Sequence, residues 1–470
     1  MPFAATGGLG DVMGSLPAAI KAKEKNNVDV RVVLPLYGMV NDEWRAQMKD
    51  EAVFNVSLSW RNIYCGVKSL VKDGVTYYFI DNEYYFKRGA LYGFFDDGER
   101  YAYFCKAVLE MLIQLDFYPD VIHANDWQSA LTVVYLNTKY RYVEGFANTK
   151  SVFTNHNIEY QGKYDFSILG DVFDMGPEYY ALMRYDDCIN LMKAAIECAD
   201  MVSTVSERYA EEIKTPEYSH GLYHVLYRNA QKLTGILNGI DYSYYNPSKD
   251  SVLAKNYDRR NFVSGKAENK MALQREYGLP ERADVPMLAI ISRLATHKGL
   301  DLVKAVADSV VSRNDVQFVI LGKGEEQYET FFSELEARYP DKVKTLLTYN
   351  RDLSKKIYAA CDIFVMPSKS EPCGLAQMIS CSYGTIPVVR AVGGLFDSIK
   401  PYGTEGENGF TFNNYNAHEL LFTIKRALDL YKNKEEWNAL VLKAKKSDFT
   451  WNTSAKKYVK IYNKLLEWQD

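Results

Sequence analysis

Short apolar runs alternate with longer amphipathic segments along almost the whole chain. Apolar runs of about four to eight residues are typical of buried strands, whereas apolar residues three or four positions apart are typical of helices. The predicted strands are Val28–Pro35, Thr76–Ile80, Val121–His123, Ser151–Asn155, Met201–Thr204, Thr234–Leu237, Met287–Ser292, Val316–Leu321, Lys344–Leu347, Ile363–Met366 and Ile386–Val389. The predicted helices are Val12–Lys23, Tyr101–Leu115, Gln128–Lys139, Asn190–Ala199, Lys298–Arg313, Glu325–Ala337, Leu353–Ala360, Gly374–Tyr383 and Ala417–Tyr431. This alternation predicts an α/β fold with two Rossmann-like domains, each built on a doubly wound parallel sheet.

The chain has 470 residues, which is too long for one hydrophobic core. We expect a first domain over residues 1–241 and a second over residues 242–451. The polar, aperiodic segment Asp241–Ala267 is the predicted linker between them. The amphipathic segment Asn452–Trp468 predicts a last helix, with Asn452 as its N-cap, that packs back on the first domain.

The charge and cysteine content exclude several classes of function. The net charge is −4 with both signs interspersed, so nucleic acid and anionic membranes are not expected partners. No apolar run approaches the roughly 18 residues of a membrane helix. The seven cysteines lack CxxC spacing and the six histidines do not cluster, so we expect a cytoplasmic protein without a metal or other cofactor.

The chain opens directly on a glycine-rich loop that contains Gly7 and Gly8 and leads into the first predicted helix. Glycines let a backbone approach a phosphate closely, and a helix N-terminus favours anions, although a plain glycine turn is an equal alternative. A parallel sheet normally places a strand before such a loop. We therefore expect Met1 to be an internal methionine of a longer natural chain.

Glu371 follows the apolar run Ile363–Met366 at the start of a predicted helix. Pro372 would occupy the first helical position, which tolerates the missing N–H. Ligands bind at this end of the strands in open α/β sheets. A carboxylate beside free N–H groups suits the loss of a nucleoside diphosphate from a sugar, whereas a simple helix-capping glutamate is the alternative.

Arg293 and Lys298 lie on one loop after the strand Met287–Ser292. Two cations at the carboxyl end of a strand would stabilise a leaving diphosphate. The alternative is a solvated helix start, although cations disfavour a helix N-terminus unless an anion is bound.

Asp126 and His156 each follow an apolar strand in the first half of the chain, so both are expected at one rim of that sheet. Asp126 could hold sugar hydroxyls, and His156 could present its ring or carbonyl to the sugar, although a structural histidine is a common alternative. Tyr349 follows another strand and could stack on a base, or it could simply pack in the core.

Several motifs in order resemble those of bacterial glycogen synthases and plant-type starch synthases. They are Thr6–Leu9, Leu91–Gly93, Asp96–Arg100, His123–Trp127, His156-Asn157, Leu237–Asp241, Ser292–Gly299, Glu371–Leu375, Gly384-Thr385, Gly393–Leu395 and Gly409–Phe412. Those enzymes are two-lobed, retaining GT-B glycosyltransferases whose two Rossmann-like domains face each other across a cleft. The resemblance covers nearly the full length of the chain.

The resemblance implies an enzyme that transfers glucose from ADP-glucose to the non-reducing 4-hydroxyl of an α-1,4-glucan with retention. The first domain would serve the acceptor and the second the nucleotide sugar. Arg293 and Lys298 would bind the diphosphate, and Glu371 would stabilise positive charge on the glucose. The remaining implied substrate-binding residues are Gly7, Gly8, Tyr92, Asn238, Tyr349, Cys373, Gly374 and Leu375, beside Asp126 and His156.

Two alternatives remain open: a glucan synthase that uses UDP-glucose, and a non-catalytic glucan-binding relative. A polymer phosphorylase is less favoured because no lysine motif suggests a pyridoxal phosphate site. The sequence also departs from the family. Ala5 stands where a lysine is usual, Ala376 stands where a threonine is common, and the segment His220–Leu226 lacks its usual acidic residue and glycine.

Overall fold

The structure, a computed structural model, describes residues 3–4 and 7–467. The chain folds into two compact units. Unit 1 runs to Gly239 and also includes the chain from Trp451 onward, and unit 2 is Ile240–Thr450.

Unit 1 contains mostly short strands with helices between them. Its strands are β1 (Arg31–Pro35), β2 (Lys49–Leu58), β3 (Arg61–Lys72), β4 (Val75–Asp81), β5 (Val121–Asn125), β6 (Lys150–Asn155), β7 (Lys163–Tyr164), β8 (Arg184–Tyr185), β9 (Cys188–Asn190), β10 (Met201–Thr204) and β11 (Leu233–Gly235). Its helices are α1 (Gly7–Glu24), α2 (Asp42–Arg45), α3 (Glu83–Phe86), α4 (Asp97–Gln114), α5 (Asp126–Tyr135), α6 (Tyr180–Met183), α7 (Leu191–Cys198), α8 (Glu207–Glu212) and α9 (Tyr223–Arg228).

The strands of unit 1 form two four-stranded sheets and a small antiparallel one. The sheet β11-β10-β6-β5 is parallel throughout, as predicted. In the sheet β1-β4-β3-β2, β1 and β4 are parallel, but β2 and β3 pair antiparallel and were not predicted. This sheet is therefore mixed, and its two antiparallel pairs depart from the parallel sheet that the alternation predicts. The outer strand β2 begins with three exposed residues and then alternates exposed residues with partly or fully buried ones, so it has no continuous apolar run.

Unit 2 is a single parallel sheet with helices between its strands, as the alternation predicts. The sheet order is β14-β13-β12-β15-β16-β17. Its strands are β12 (Met287–Ile291), β13 (Gln317–Leu321), β14 (Val343–Leu346), β15 (Ile363–Met366), β16 (Ile386–Arg390) and β17 (Phe410–Phe412). Its helices are α10 (Phe262–Tyr277), α11 (Leu300–Arg313), α12 (Glu326–Arg338), α13 (Arg351–Ala360), α14 (Ala376–Tyr383), α15 (Gly393–Ser398), α16 (Ala417–Lys432) and α17 (Lys434–Lys446).

The segment predicted as a linker is part of unit 2. Tyr257 in this segment is 1% exposed, and its hydroxyl donates to the carbonyl of Tyr383. Helix α10 begins at Phe262, inside the predicted linker. An aromatic-rich segment without helical periodicity can still be anchored by single buried side chains, which the pattern does not reveal.

The last helix, α18 (Trp451–Glu467), belongs to unit 1 and packs against α1. Buried residues of both helices form one cluster with Val152 of β6 and with Ile236, the residue that follows β11. The hydroxyl of Ser454 donates to the carbonyl of Leu237. Helix α1 itself begins at Gly7, five residues before the predicted start.

Candidate functional site

Glu371 and Lys298 form an ion pair at the carboxyl ends of two neighbouring strands of unit 2. Lys298 Nζ lies 3.1 Å from Oε1 and 2.8 Å from Oε2 of Glu371. The hydroxyl of Ser368 donates to Oε2 at 2.9 Å. Glu371 is 6% exposed, whereas 21% of the Lys298 side chain is exposed. The carboxylate is thus fixed by two donors, and the ammonium keeps contact with solvent.

The strands explain why these side chains meet. β12 and β15 are parallel neighbours, so the loops that follow them leave the sheet at the same edge. Gly299 lets the loops touch, because a Cβ at this position would lie 2.0 Å from the carbonyl oxygen of Pro367. Its φ of +74° is also in the left-handed region that favours glycine. The backbone N–H of Lys369 donates to the carbonyl of His297 and joins the two loops again.

The placement of Pro372 at the first helical position is wrong, and the predicted helix Gly374–Tyr383 begins two residues later than predicted. Helix α14 begins at Ala376, and Glu371 to Leu375 form a turn before it. Gly374 has φ of +68°, which a helix cannot include. The Glu371 carboxylate contacts Lys298 and Ser368, both outside the helix, so the geometry does not support the helix-capping alternative.

The turn residues assigned to substrate binding lie beside Glu371. Cys373 is buried, and Gly374 and Leu375 are partly exposed. The backbone N–H groups of Gly374 and Leu375 donate to no acceptor within the described part of the chain. Two N–H groups of adjacent residues therefore remain available to an anion next to the buried carboxylate.

Arg293 lies on the loop that also carries Lys298, and its side chain is exposed. Its guanidinium makes no hydrogen bond or ion pair with another described residue. An unengaged guanidinium offers five donors in a planar fork that matches a phosphate group.

Tyr349 follows β14, the strand at one end of the sheet, and is 81% exposed. Its hydroxyl accepts a hydrogen bond from Arg351 Nε at 3.2 Å. The core-packing alternative for Tyr349 is therefore wrong. The Tyr349 ring lies in solvent, where another planar group can stack on it.

In unit 1, Asp126 and His156 come together as the sequence predicts. The backbone N–H of His156 donates to Asp126 Oδ1 at 2.7 Å. β5 and β6 are parallel neighbours, so the residues that follow them share one edge of the sheet. Asp126 has φ of +59°, an uncommon conformation for a residue other than glycine. Burial raises the pKa of the Asp126 carboxyl to about 7.

Three further residues, to which sequence reasoning assigned no role, contact the histidine rings of unit 1. Asn125 Oδ1 lies 2.9 Å from His156 Nε2, so this ring nitrogen carries the proton. The ring of His123 bridges the hydroxyls of Tyr462 and Thr154 at 2.7 and 2.6 Å. Burial lowers the pKa of His156 to about 4 and that of His123 to about 3, so both rings are neutral near pH 7.

The other predicted residues of unit 1 differ in exposure. Gly7 and Gly8 are exposed at the start of α1, and Gly7 has φ of +70°. Tyr92 is 48% exposed. Asn238 is 6% exposed, and its Oδ1 has no hydrogen-bond partner among the described residues. Ala5, the position of the unusual alanine, lies outside the described residues.

Neither a metal-binding cluster nor a membrane helix occurs in the described part of the chain. Across residues 3–4 and 7–467, no group of three or more His, Cys, Asp or Glu side chains is arranged to hold a metal ion. Within the same ranges, no helix combines the length and the apolarity needed to cross a bilayer. None of the seven cysteines, all of which lie within the described residues, forms a disulfide.

Two family models match the chain. The model of the starch synthase catalytic domain matches residues 1–228, and the model of glycosyl transferases group 1 matches residues 276–444. The glycogen synthase of Anoxybacillus flavithermus is 44% identical over 470 residues, which cover 99% of this chain and 96% of that protein. The glycogen synthase of Clostridium botulinum (strain Eklund 17B / Type B) is 46% identical over 469 residues, or 99% and 97% of the two chains.

Solved structures are similar over the same length. The catalytic domain of starch synthase IV from Arabidopsis thaliana, bound to ADP and acarbose, matches with a TM-score of 0.88 and 33% identity. The match covers 99% of this chain and 97% of that one. Sucrose-phosphate synthase from Thermosynechococcus elongatus matches with a TM-score of 0.61 at 17% identity, which is a likeness of fold alone.

Proposed function

Because the chain belongs to the glycogen synthase and starch synthase family of glycosyltransferases, we propose that it elongates an α-1,4-glucan. In this proposal it transfers glucose from ADP-glucose to the 4-hydroxyl at the non-reducing end, with retention of anomeric configuration. The observation that carries the proposal is the buried Glu371 carboxylate, held by Lys298 and Ser368 beside two unengaged backbone N–H groups.

The Glu371 cluster suits the separation of charge in this reaction. As the bond to the diphosphate breaks, positive charge develops on the glucose and negative charge on the leaving oxygen. Glu371 stabilises the former. An ammonium has three donors, and Lys298 uses two of them on Glu371, so one remains for the diphosphate. Groups fixed before the reaction need no reorganisation during it, which is the main source of such stabilisation.

Arg293 supplies the second positive charge. Its guanidinium is exposed and unengaged by other described residues, so binding a diphosphate breaks no existing ion pair. The N–H groups of Gly374 and Leu375 add two neutral donors to the same anion. Tyr349 offers its exposed ring to the base.

In unit 1, Asp126 and His156 bind hydroxyls of a sugar. His156 carries its proton on Nε2, where Asn125 accepts it, so Nδ1 is left as an acceptor. The ring is neutral near pH 7 because burial lowers its pKa to about 4. His156 therefore takes part as a hydrogen-bonding group and not as a cation. Gly7, Gly8, Tyr92 and Asn238 remain proposed contacts.

We propose ADP-glucose as the donor because the similar Arabidopsis starch synthase IV domain was solved with ADP. We place the enzyme in the reducing cytoplasm because none of the seven cysteines, all described in the structure, forms a disulfide.

The test is transfer of labelled glucose to glycogen from ADP-glucose and from UDP-glucose, at equal concentrations, followed by digestion with an enzyme specific for α-1,4 linkages. We expect incorporation mainly from ADP-glucose and full release of the label. Faster transfer from UDP-glucose would contradict the proposed donor. Glycogen binding without transfer from either donor would favour a non-catalytic role.

A further inference from the structure

Gln377 is a buried side chain of α14 that reaches back to the turn before its own helix. Gln377 is buried, and its amide nitrogen Nε2 lies 3.2 Å from the carbonyl oxygen of Cys373 and 2.9 Å from that of Gly374. Nε2 also donates to the hydroxyl of Ser398 at 3.0 Å. That hydroxyl donates in turn to the carbonyl of Gly394 at 2.6 Å. One amide therefore ties the Glu371–Leu375 turn to helix α15.

The direction of these two carbonyls fixes the direction of two N–H groups. A trans peptide group is planar, with its carbonyl and the following N–H pointing to opposite sides. Because the carbonyl of Cys373 points to Gln377, the N–H of Gly374 points away from it. The carbonyl of Gly374 fixes the N–H of Leu375 in the same way. These are the two N–H groups that donate to no acceptor in the described part of the chain.

The amide of Gln377 is costly at this position. Its Oε1 is buried without a hydrogen-bond partner among the described residues, and a buried acceptor left without a partner destabilises the fold. An apolar side chain of the same size would avoid this cost but could not donate to the two carbonyls. Unlike an apolar side chain, the amide of Gln377 can therefore fix the orientation of the turn through its hydrogen bonds to the carbonyls of Cys373 and Gly374.

We propose that Gln377 is a positioning residue for nucleotide-sugar binding, which rests on the proposed function. By turning the carbonyls of Cys373 and Gly374 inward, it aims the N–H groups of Gly374 and Leu375 at the anionic phosphate of the donor. Gln377 itself does not touch the substrate, since its amide is buried beneath the turn.

The proposal predicts a pH-dependent defect in Gln377→Glu. A buried glutamate facing carbonyl oxygens has a raised pKa, so it is charged at high pH and protonated at lower pH. The charged form only accepts hydrogen bonds and repels the carbonyls, whereas the protonated form donates through its O–H. Near pH 8.5 we expect the affinity for the nucleotide sugar to be about 100-fold lower than in the unsubstituted enzyme at the same pH. Near pH 6 the difference should shrink to about tenfold. The KM for glycogen should not change.

The control variant is Gln274→Glu, because Gln274 is also a buried glutamine of unit 2. Its Nε2 donates to the carbonyl of Arg282 and to Gln317 Oε1, far along the chain from the turn. If Gln274 has only a structural role, Gln274→Glu should lower the stability of the protein as pH rises. It should not specifically change the affinity for the nucleotide sugar. Gln377→Met keeps the approximate shape of the side chain but cannot donate a hydrogen bond. It should weaken binding of the nucleotide sugar at every pH, without recovery at low pH. This variant tests the proposal even if Gln377→Glu does not fold.

The readouts are the dissociation constant of ADP by calorimetry, the KM for ADP-glucose and for glycogen, and the melting temperature. Donor binding of Gln377→Met within about twofold of the unsubstituted enzyme would overturn the proposal. A parallel loss in Gln274→Glu would also overturn it. If the unsubstituted protein binds ADP but transfers no glucose, the proposed function fails, and the ADP dissociation constants alone decide the role of Gln377.

Discussion

Removing the cation from the Lys298–Glu371 pair should destabilise unit 2, and removing both charges should restore most of the loss. In Lys298→Met, Glu371 stays 6% exposed with Ser368 as its remaining side-chain donor. An uncompensated buried charge costs about 3–5 kcal/mol. Because 21% of the Lys298 side chain is exposed, water screens part of this, and we expect a loss of about 2–4 kcal/mol.

The double variant Lys298→Met with Glu371→Gln tests whether the buried charge is the cause. Glu371→Gln alone should cost about 1 kcal/mol, because Lys298 can turn to water. The double variant should lose about 1–2 kcal/mol, well below the sum of the single losses.

The assay is urea unfolding, with hydrogen exchange of β12 and β15 as the local readout in unit 2. The matched control is the exposed pair Lys356–Glu276, whose atoms are 3.0 Å apart and whose side chains are 35% and 44% exposed. Its charge-removing variants should each change stability by less than about 1 kcal/mol. If the losses at Lys298 and Glu371 add to within about 0.5 kcal/mol, the reasoning about an uncompensated charge is refuted.

Three further predictions concern single positions. Arg293→Ala should fold normally and lose about 100-fold or more in the rate of transfer, as measured by kcat and KM for the donor; near-normal turnover would exclude Arg293 from diphosphate binding. Asp126→Asn should raise the free energy of unfolding near pH 8 by about 1–3 kcal/mol while lowering activity. The reason is the pKa of Asp126, which is about 7 in the folded protein instead of the ordinary 3.8. Because of this difference, the free energy of unfolding falls as pH rises from about 4 to 7, and the substitution removes that loss. A gain in stability that does not depend on pH would contradict this reasoning. Gly299→Ala should displace the Lys298 loop, since its Cβ would lie 2.0 Å from the carbonyl oxygen of Pro367. Unchanged activity and melting temperature in that variant would show that the loop yields without consequence.

The predicted family and the two-domain α/β fold class are confirmed, because both depend on features that the sequence carries directly. β15 was predicted with its observed bounds, as a short apolar run closed by Pro367. The helix Gly374–Tyr383 was predicted with its observed end, but Pro372 was wrongly placed at a first helical position. Pro372 suits a first helical turn and equally suits the non-helical segment that contains Gly374 with its positive φ. The conformational preference of Pro372 alone could not decide between a first helical turn and a non-helical turn.

The contacts that define the site were less predictable. The pairing of Asp126 with His156 follows from two adjacent parallel strands, and a sequence pattern can indicate that. The contacts of Asn125 with His156 and of Ser368 with Glu371 depend on side-chain direction, which spacing does not give. The only signal for them was a nearby polar residue: Asn125 directly precedes Asp126, and Ser368 lies three positions before Glu371.

The most direct test of the central claim is the rate of glucose transfer by Glu371→Gln in a single turnover, with saturating ADP-glucose and glycogen. The substitution removes the charge and keeps the shape, and Gln Oε1 can still accept from Ser368. If Glu371 stabilises positive charge on the sugar, the rate should fall about 100-fold or more while ADP affinity changes little, since the interaction grows in the transition state. A variant that stays folded and transfers glucose at close to the normal rate would contradict the account.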